Sequence, residues 1–345
     1  MTDPRNSSRL DADWNLQVGF LDRGEDVGEF FATMHSNALY STLVGIYSEV
    51  HSIIFTVSAW ANRLGLTGGT PRMFISQFNA KLIEEKRRQR ESMEERKSPI
   101  EGEEETSPKD FLTKFLDKHD EDSIKFTERD INIGLVGNII AGSDTTAAAL
   151  TAIMYCLLKN PASLLELRKE LASAAASGAL SSPPAFKEAN ELHYLQAVVQ
   201  EAMRMHPPVG LPLPRVIPPE GREICGYLLP GGSVVSVSAL AVHMNTAIFG
   251  QDAACFRPER WLETDKEKLA LMQRYWMPFG LGSRTCIGKN ISLLEITKLI
   301  PVLVRNFDFE LTGGLQDPGK EMQWFNMWFV RPVALPVRIS IRPKS

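Results

Sequence analysis

The stretch with the clearest chemical potential runs from Trp276 to Asn290 and reads WMPFGLGSRTCIGKN. Pro278, Gly280 and Gly282 precede a single cysteine, Cys286, and an apolar helical run follows it. Glycine permits the positive φ and the close backbone approach that a tight loop beneath a flat ligand requires. The free N–H groups and positive end of a helix favour an anion at its start. A thiolate there is a soft metal ligand, and a lone Cys thiolate is one way of holding haem iron. Taken alone, Cys286 reads more readily as an inert buried cysteine, which is what most free cysteines are. A second candidate is AGSDTT at 141–146, in the middle of an apolar run. A mid-helix glycine costs roughly 1 kcal/mol against alanine, and a carboxylate in so apolar a helix costs more unless paired or functional. Asp144 and Thr145 together offer a proton relay; the alternative is a packing glycine at Gly142 and a solvent-facing aspartate. A third is Glu201 and Arg204, three apart on one helix face. Alone, they would make an exposed ion pair contributing a few tenths of a kcal/mol.

These residues need elements to hold them. Thr127 to Asp130 opens a helix with a capping-box-like start. The helix continues from Ile131 to about Leu158, with Ile133, Val136, Gly137, Ile140 and Asp144 on one face. It is apolar nearly all round, which predicts burial along its length. Asn160-Pro161 reads as an N-cap and N1 proline before a helix over Ala162–Leu171. Leu192–Met205 carries Glu201 and Arg204 and is stopped by Pro207-Pro208. Ile287–Val304 is the helix after Cys286, with Pro301 a candidate kink. Strands are expected at Val209–Val216, Glu223–Leu228, Ser233–Val237, Phe307–Leu311 and Val333–Ile341, with an aromatic loop at Trp324–Phe329. Upstream, Val27–Leu64 has helical spacing with a break near Ser36–Thr42. Gly68–Pro71 is a turn, and Pro71 starts a long helix ending in the charge run 84–90. Residues 98–108, rich in Glu, Pro and Ser, form an internal surface linker.

With 345 residues, 43% hydrophobic and 23% charged, the chain can bury a substantial core. A net charge of -4 argues against a nucleic-acid partner. The four cysteines, Cys156, Cys225, Cys255 and Cys286, form no CxxC pair, which disfavours a disulfide framework or a zinc site. The polar N-terminus reads as neither signal peptide nor membrane anchor.

The pattern Phe279-x-x-Gly282-x-Arg284-x-Cys286-x-Gly288 resembles the haem-binding loop of cytochromes P450. The segment from Ala141 to Thr145 is similar to that family's oxygen-activating A-G-x-D-T motif on helix I. Glu201-x-x-Arg204 resembles its E-x-x-R motif, and 256–261, FRPERW, matches the later motif that adds a third member, Arg260. The resemblance runs from about Phe20 to the C-terminus, within the family towards the fungal pisatin-demethylase type.

It implies a mainly α fold with a small β region, a single domain over 1–345 spanning the family's helices E/F to L. The N-terminal part is expected to be truncated, since the strand region, helices A to E and the W-x-x-x-R segment have no counterpart. The resemblance implies haem b with Cys286 as the axial thiolate, and a loop around the cofactor formed by Phe279, Gly282, Arg284 and Gly288. Ala141 and Gly142 would lie beside the iron, where Gly142 widens the helix. Arg215 and Arg284 would bind propionates, and Asp144 and Thr145 would deliver protons during oxygen activation. Glu201, Arg204 and Arg260 would be a structural lock behind the loop. The implied activity is insertion of one atom of dioxygen into an apolar organic substrate, in secondary metabolism or detoxification. Electrons would come from NADPH-cytochrome P450 reductase, and the protein would be a monomer. The family implies the cytosolic face of the endoplasmic reticulum membrane; without an anchor the chain would be cytoplasmic or peripheral. The alternatives are a haem-thiolate isomerase or dehydratase working without reductase, and a non-catalytic truncated remnant.

Overall fold

The structure, a computed structural model, describes residues 30–64, 71–96, 109–317 and 319–343. The expected linker at 98–108 and most of the expected turn at 68–71 lie outside the described residues. Two compact units divide the chain, Met1–Ala141 and Gly142–Ser345.

The first unit carries α1 (Phe30–Ile46), a 3-10 turn (Ser48–Val50), α2 (His51–Arg63), α3 (Pro71–Arg96), α4 (Phe111–Glu121) and the start of α5 (Glu128–Lys159). The break expected near Ser36–Thr42 is absent. The Thr42 hydroxyl donates to the Ala38 carbonyl one turn back at 2.9 Å, which lets a polar residue stay inside a helix. A small core joins Leu82 and Ile83 of α3, Leu112 and Leu116 of α4, and Ile131 and Leu135 of α5. Asp110 caps α4, accepting from the Thr113 amide at 2.6 Å, and pairs with Lys86 of α3 at 2.5 Å. At the start of α5 the Thr127 amide and hydroxyl both donate to Asp130 Oδ2. Burial along the whole of α5, expected from its composition, holds only in part: Ile131 and Leu135 are buried, whereas Ile133 is 57% exposed. In this unit only that pair, four residues apart, reaches the small core.

In the second unit, α5 is buried at Ala148, Ala149 and from Ala152 to Leu157. It packs in one cluster with α6 (Pro161–Ala176), α8 (His193–Met205) and α12 (Lys289–Asn306), through Ile153, Leu157, Leu167, Leu195, Val198 and Ile300. By length and apolarity α5 is long enough to cross a membrane, but this packing makes its second half a core element. Between these lie α7 (Phe186–Asn190), α9 (Ala239–His243), α10 (Thr246–Phe249) and α11 (Lys266–Tyr275). Asn160 does not cap α6. Its side-chain amide donates backwards to the Cys156 carbonyl at 2.7 Å, closing the end of α5. Pro161, with φ already set, begins α6 instead. Pro301 sits inside α12 without ending it.

The β region is four antiparallel two-stranded ladders: β1 (Arg215–Val216) with β4 (Val234–Val235), β2 (Arg222–Ile224) with β3 (Tyr227–Leu229), β5 (Phe307–Leu311) with β8 (Val337–Ile341), and β6 (Trp324–Met327) with β7 (Phe329–Pro332). The single strand expected at Glu223–Leu228 is a hairpin. Cys225 and Gly226 take φ of 53° and 81°, the geometry of a two-residue hairpin turn. Of Val209–Val216 only the last two residues pair as a strand, because Pro212 and Pro214 have no N–H to give a ladder. The aromatic loop is also a hairpin, β6–β7, turning on Trp328 at φ 61°.

That hairpin is docked on the segment after α8. Val330 N donates to the Pro208 carbonyl at 2.8 Å, and Val209 bridges Phe329. Gly210 lies between them, and a Cβ there would fall 2.7 Å from Asn326 Oδ1 and closer still to Val330. Gly210→Ala is therefore expected to destabilise the chain by about 1–3 kcal/mol, read by urea unfolding. Gly142→Ala meets open space, so it is the control that should show no overpacking loss.

Candidate functional site

The sequence separates Glu201, Arg204 and Arg260, and the fold brings them together. All three side chains are fully buried. The Glu201 carboxylate accepts from Arg204 Nε and Nη2 at 2.9 Å each, from Arg260 Nε at 2.8 Å, from the Arg257 amide at 3.0 Å and from Trp261 Nε1 at 2.9 Å. The remaining guanidinium hydrogens are used as well. Arg204 Nη1 donates to the His243 carbonyl at 2.7 Å, and Arg260 reaches the Phe249 carbonyl and Asp252. A carboxylate buried this deeply is tolerable only with such charge-assisted bonds.

His243, to which the sequence assigns no role, sits in this network with its ring fully buried. Its Nδ1 lies 2.9 Å from the Arg204 carbonyl, and its Nε2 accepts from the Met277 amide at 2.9 Å. A carbonyl only accepts and an amide N–H only donates, so the ring is the neutral Nδ1–H tautomer. Burial pushes the His243 pKa down to about 4, and does the same to His206, which stacks on Trp324 with ring centroids 4.2 Å apart. Both rings start from 6.5 in the unfolded chain. The unfolded state therefore takes up protons first as the pH falls. The stability linked to these rings is complete above pH 6.5, is lost progressively down to pH 4 and then levels off. Urea unfolding across that range is expected to show uptake of roughly two protons, and His206→Phe is expected to reduce it to roughly one.

The cysteine loop follows directly. Trp276 Nε1 donates to the Gln200 carbonyl of α8 at 2.9 Å, so the start of the loop is fastened to the helix bearing Glu201. Phe279 packs edge-on against Trp276, with ring centroids 6.0 Å apart. The chain then reverses through Gly280 and Gly282, at φ of 70° and 73°, the left-handed region in which glycine carries no penalty. The Cys286 amide donates to the Phe279 carbonyl at 2.9 Å and closes the loop. α12 begins three residues later, and its Ile291 and Ser292 amides both donate to the Gly288 carbonyl at 3.0 Å. Cys286 is exposed, as are Leu281, Arg284 and Ile287. The loop thus presents one soft donor at a helix start, on an exposed surface that also carries Arg284, Leu281 and Ile287.

On α5 the Asp144 side chain is buried, with one carboxylate oxygen, Oδ2, that accepts no hydrogen bond. Arg331 of β7 approaches that oxygen to 3.7 Å, close enough to balance its charge but beyond hydrogen-bonding distance. Two residues earlier, the space beside Gly142 is open, and α5 passes through it as unbroken α-helix. Neither a packing glycine nor a solvent-facing aspartate is what the fold contains. Thr146 Oγ1 lies 3.0 Å from Ser292 Oγ, which ties the Asp144 turn to the first turn of α12, six residues after Cys286.

Three expected residues are exposed. Arg215 is exposed, and its guanidinium donates to the adjacent Leu213 and Pro214 carbonyls. Arg284 and Ala141 are also exposed. The contacts made by His243, Trp261, Trp276, Arg331 and Ser292 were not expected from the sequence. Their partners are at least 34 positions away in the chain, and no local spacing marks such contacts.

A mainly helical protein with a small β region, an E-x-x-R pair locked by a distant arginine, and one exposed cysteine in a glycine loop at a helix start is a defined class. The sequence model of the cytochrome P450 family matches residues 54–335, and the chain belongs to that family. It is 45% identical over 234 residues to cytochrome P450 monooxygenase cicH of Emericella nidulans, covering 68% of this chain and 46% of that protein. It is 35% identical over 297 residues to a cytochrome P450 monooxygenase of Aspergillus terreus, covering 86% and 58%. It is 38% identical over 335 residues to pisatin demethylase of Fusarium vanettenii, covering 95% and 61%. The chain therefore spans about half to three fifths of the length of these curated relatives, and several differently named fungal enzymes match it comparably.

Family membership implies haem, and the donor set fits it. Among the described residues, no three His, Cys, Asp or Glu side chains gather as a metal site. A metal at Cys286 would take one ligand from the protein and the rest from elsewhere, as a porphyrin allows.

Proposed function

We propose that this chain is the haem-binding part of a monooxygenase that inserts one atom of dioxygen into an apolar small molecule, in fungal secondary metabolism. Haem bound through Cys286 would supply oxygen activation, the chemistry that a thiolate ligand promotes. The chain's own residues do the rest. The loop from Met277 to Gly288 presents the thiolate, and Arg284, two residues before Cys286, and Arg215 are the guanidiniums proposed for the propionates. Asp144 Oδ2 is the atom at which a proton can be held and released, with Arg331 balancing its charge. Thr145 is the adjoining hydroxyl. The Trp328 hairpin on the Val209 segment offers apolar contact to substrate. Electrons are assigned to an NADPH-dependent reductase, and the domain to one P450 unit over the whole chain, akin within the family to the fungal pisatin-demethylase type.

The observation that carries this reading is the buried Asp144 oxygen without a hydrogen bond, beside open space at Gly142. A carboxyl and a neighbouring hydroxyl so placed suit a proton relay, and with the family's oxygen-activating motif they weigh for a monooxygenase over an isomerase. A second reading, a chain that holds no haem by itself, is favoured by one observation: the chain spans only about half to three fifths of the length of the relatives it matches. The deciding experiment is to express the chain with haem supplied, reduce it and add carbon monoxide. A thiolate-type Soret band is the expected result, and no haem uptake would establish the second reading. NADPH-dependent turnover with added reductase then separates a monooxygenase from an isomerase.

A further inference from the structure

We propose that His243 is a positioning residue for the cysteine loop, a neutral bridge that transmits the register of the buried Glu201–Arg204 pair to the backbone at Met277. The connection is continuous. Glu201 fixes the Arg204 guanidinium through two bonds of 2.9 Å. Arg204 and His243 then hold one another twice, Arg204 Nη1 to the His243 carbonyl at 2.7 Å and His243 Nδ1–H to the Arg204 carbonyl at 2.9 Å. The far nitrogen, Nε2, accepts the Met277 amide at 2.9 Å. Two residues later the Phe279 carbonyl receives the Cys286 amide, at 2.9 Å.

No other side chain type does both jobs at this spacing. The imidazole donates from one nitrogen and accepts at the other, and its rigid ring sets the distance between them. A protonated ring would present a second N–H to the Met277 amide and break the bridge. Trp276 ties the same segment to α8 through a different group, the Gln200 carbonyl. The loop start is thus held at two adjacent residues, one through an indole donor and one through an imidazole acceptor. Losing the imidazole frees the Met277 amide without releasing the segment.

The bridge itself is independent of any cofactor, while its consequence for haem rests on the haem reading above. Two substitutions divide its halves. In His243→Gln the side-chain oxygen lies near the place of Nε2 and can accept from Met277. In His243→Asn the shorter amide reaches only the place of Nδ1, so the Arg204 carbonyl keeps a donor and Met277 loses its acceptor. Hydrogen exchange of the Met277 amide in the full chain without haem is expected to be about tenfold faster in His243→Asn than in wild type or His243→Gln. Nitrogen chemical shifts of the wild-type ring should show an unprotonated Nε2. With haem supplied, the fraction of thiolate-type carbon monoxide spectrum should follow the order wild type, Gln, Asn. Equal exchange in the two variants, or a protonated Nε2 in the wild type, would overturn the bridge. A wild type that takes up no haem yet shows the exchange difference would overturn the haem reading and leave the bridge standing.

Discussion

Glu201→Gln is expected to cost about 3–5 kcal/mol of stability, although the replacement is nearly isosteric. The carboxylate accepts from Arg204, Arg260, Trp261 and the Arg257 amide, and both guanidiniums beside it are fully buried. A neutral amide offers one acceptor oxygen, and turns two N–H donors towards groups that themselves only donate. Two buried cations then remain against Asp252 alone, whose side chain is 37% exposed. Leaving a buried charge without its partner is far more costly than losing an exposed pair. Urea unfolding followed by circular dichroism measures the difference. A loss below about 1 kcal/mol, the range of an exposed pair, would show that Glu201 does not organise this network.

The contrast between those two magnitudes marks what the sequence can and cannot reveal. Glu201 and Arg204 at i and i+3 on a helix are legible from spacing, but the spacing is the same for a surface pair and for the centre of a buried network. Burial is decided by α9 and by the 249–261 segment that folds over the pair, and no periodicity records that packing. The principal helices were readable because their apolar spacing and prolines are local signals: α8 begins and ends within a residue of its expected bounds, and α5 begins at its capping box. Three of the misses came from single residues that departed from their usual preference. Thr42 bonds backwards and keeps α1 intact. Asn160 closes the helix before it instead of opening the one after it. Cys225 adopts the positive φ that a glycine usually supplies, folding one expected strand into two. Phe279, Gly282 and Cys286 share one short loop and were legible as a group. Arg331, the countercharge of Asp144, comes from a strand 187 positions away, and Arg215 was placed only by its distance along the chain from Arg204.

Cys286→Ala is expected to abolish the haem-thiolate spectrum completely while leaving the fold almost unchanged. The loop is held by backbone, through the Cys286 amide to the Phe279 carbonyl and the Gly280 amide to the Met277 carbonyl, and alanine keeps all of it. The Cys286 side chain is exposed and takes part in no disulfide. Its removal should therefore shift urea stability by no more than about 0.5 kcal/mol. The spectral change rests on chemistry, not on packing: among the described residues no other cysteine lies in the loop, and Cys156, the nearest in sequence to the Asp144 turn, is buried with its thiol pushed far up by desolvation, which keeps it from acting as a thiolate. Cys286→Ser separates the ligand's charge and softness from its size, since a serine hydroxyl fills nearly the same space but is not a soft anionic donor. Both variants should lose the thiolate-type band in the reduced carbon monoxide complex and keep the wild-type unfolding curve. An unchanged band in either would remove Cys286 as the ligand. A lost band accompanied by collapse of the unfolding transition would instead make the cysteine structural, the plainer reading that its sequence position alone allowed.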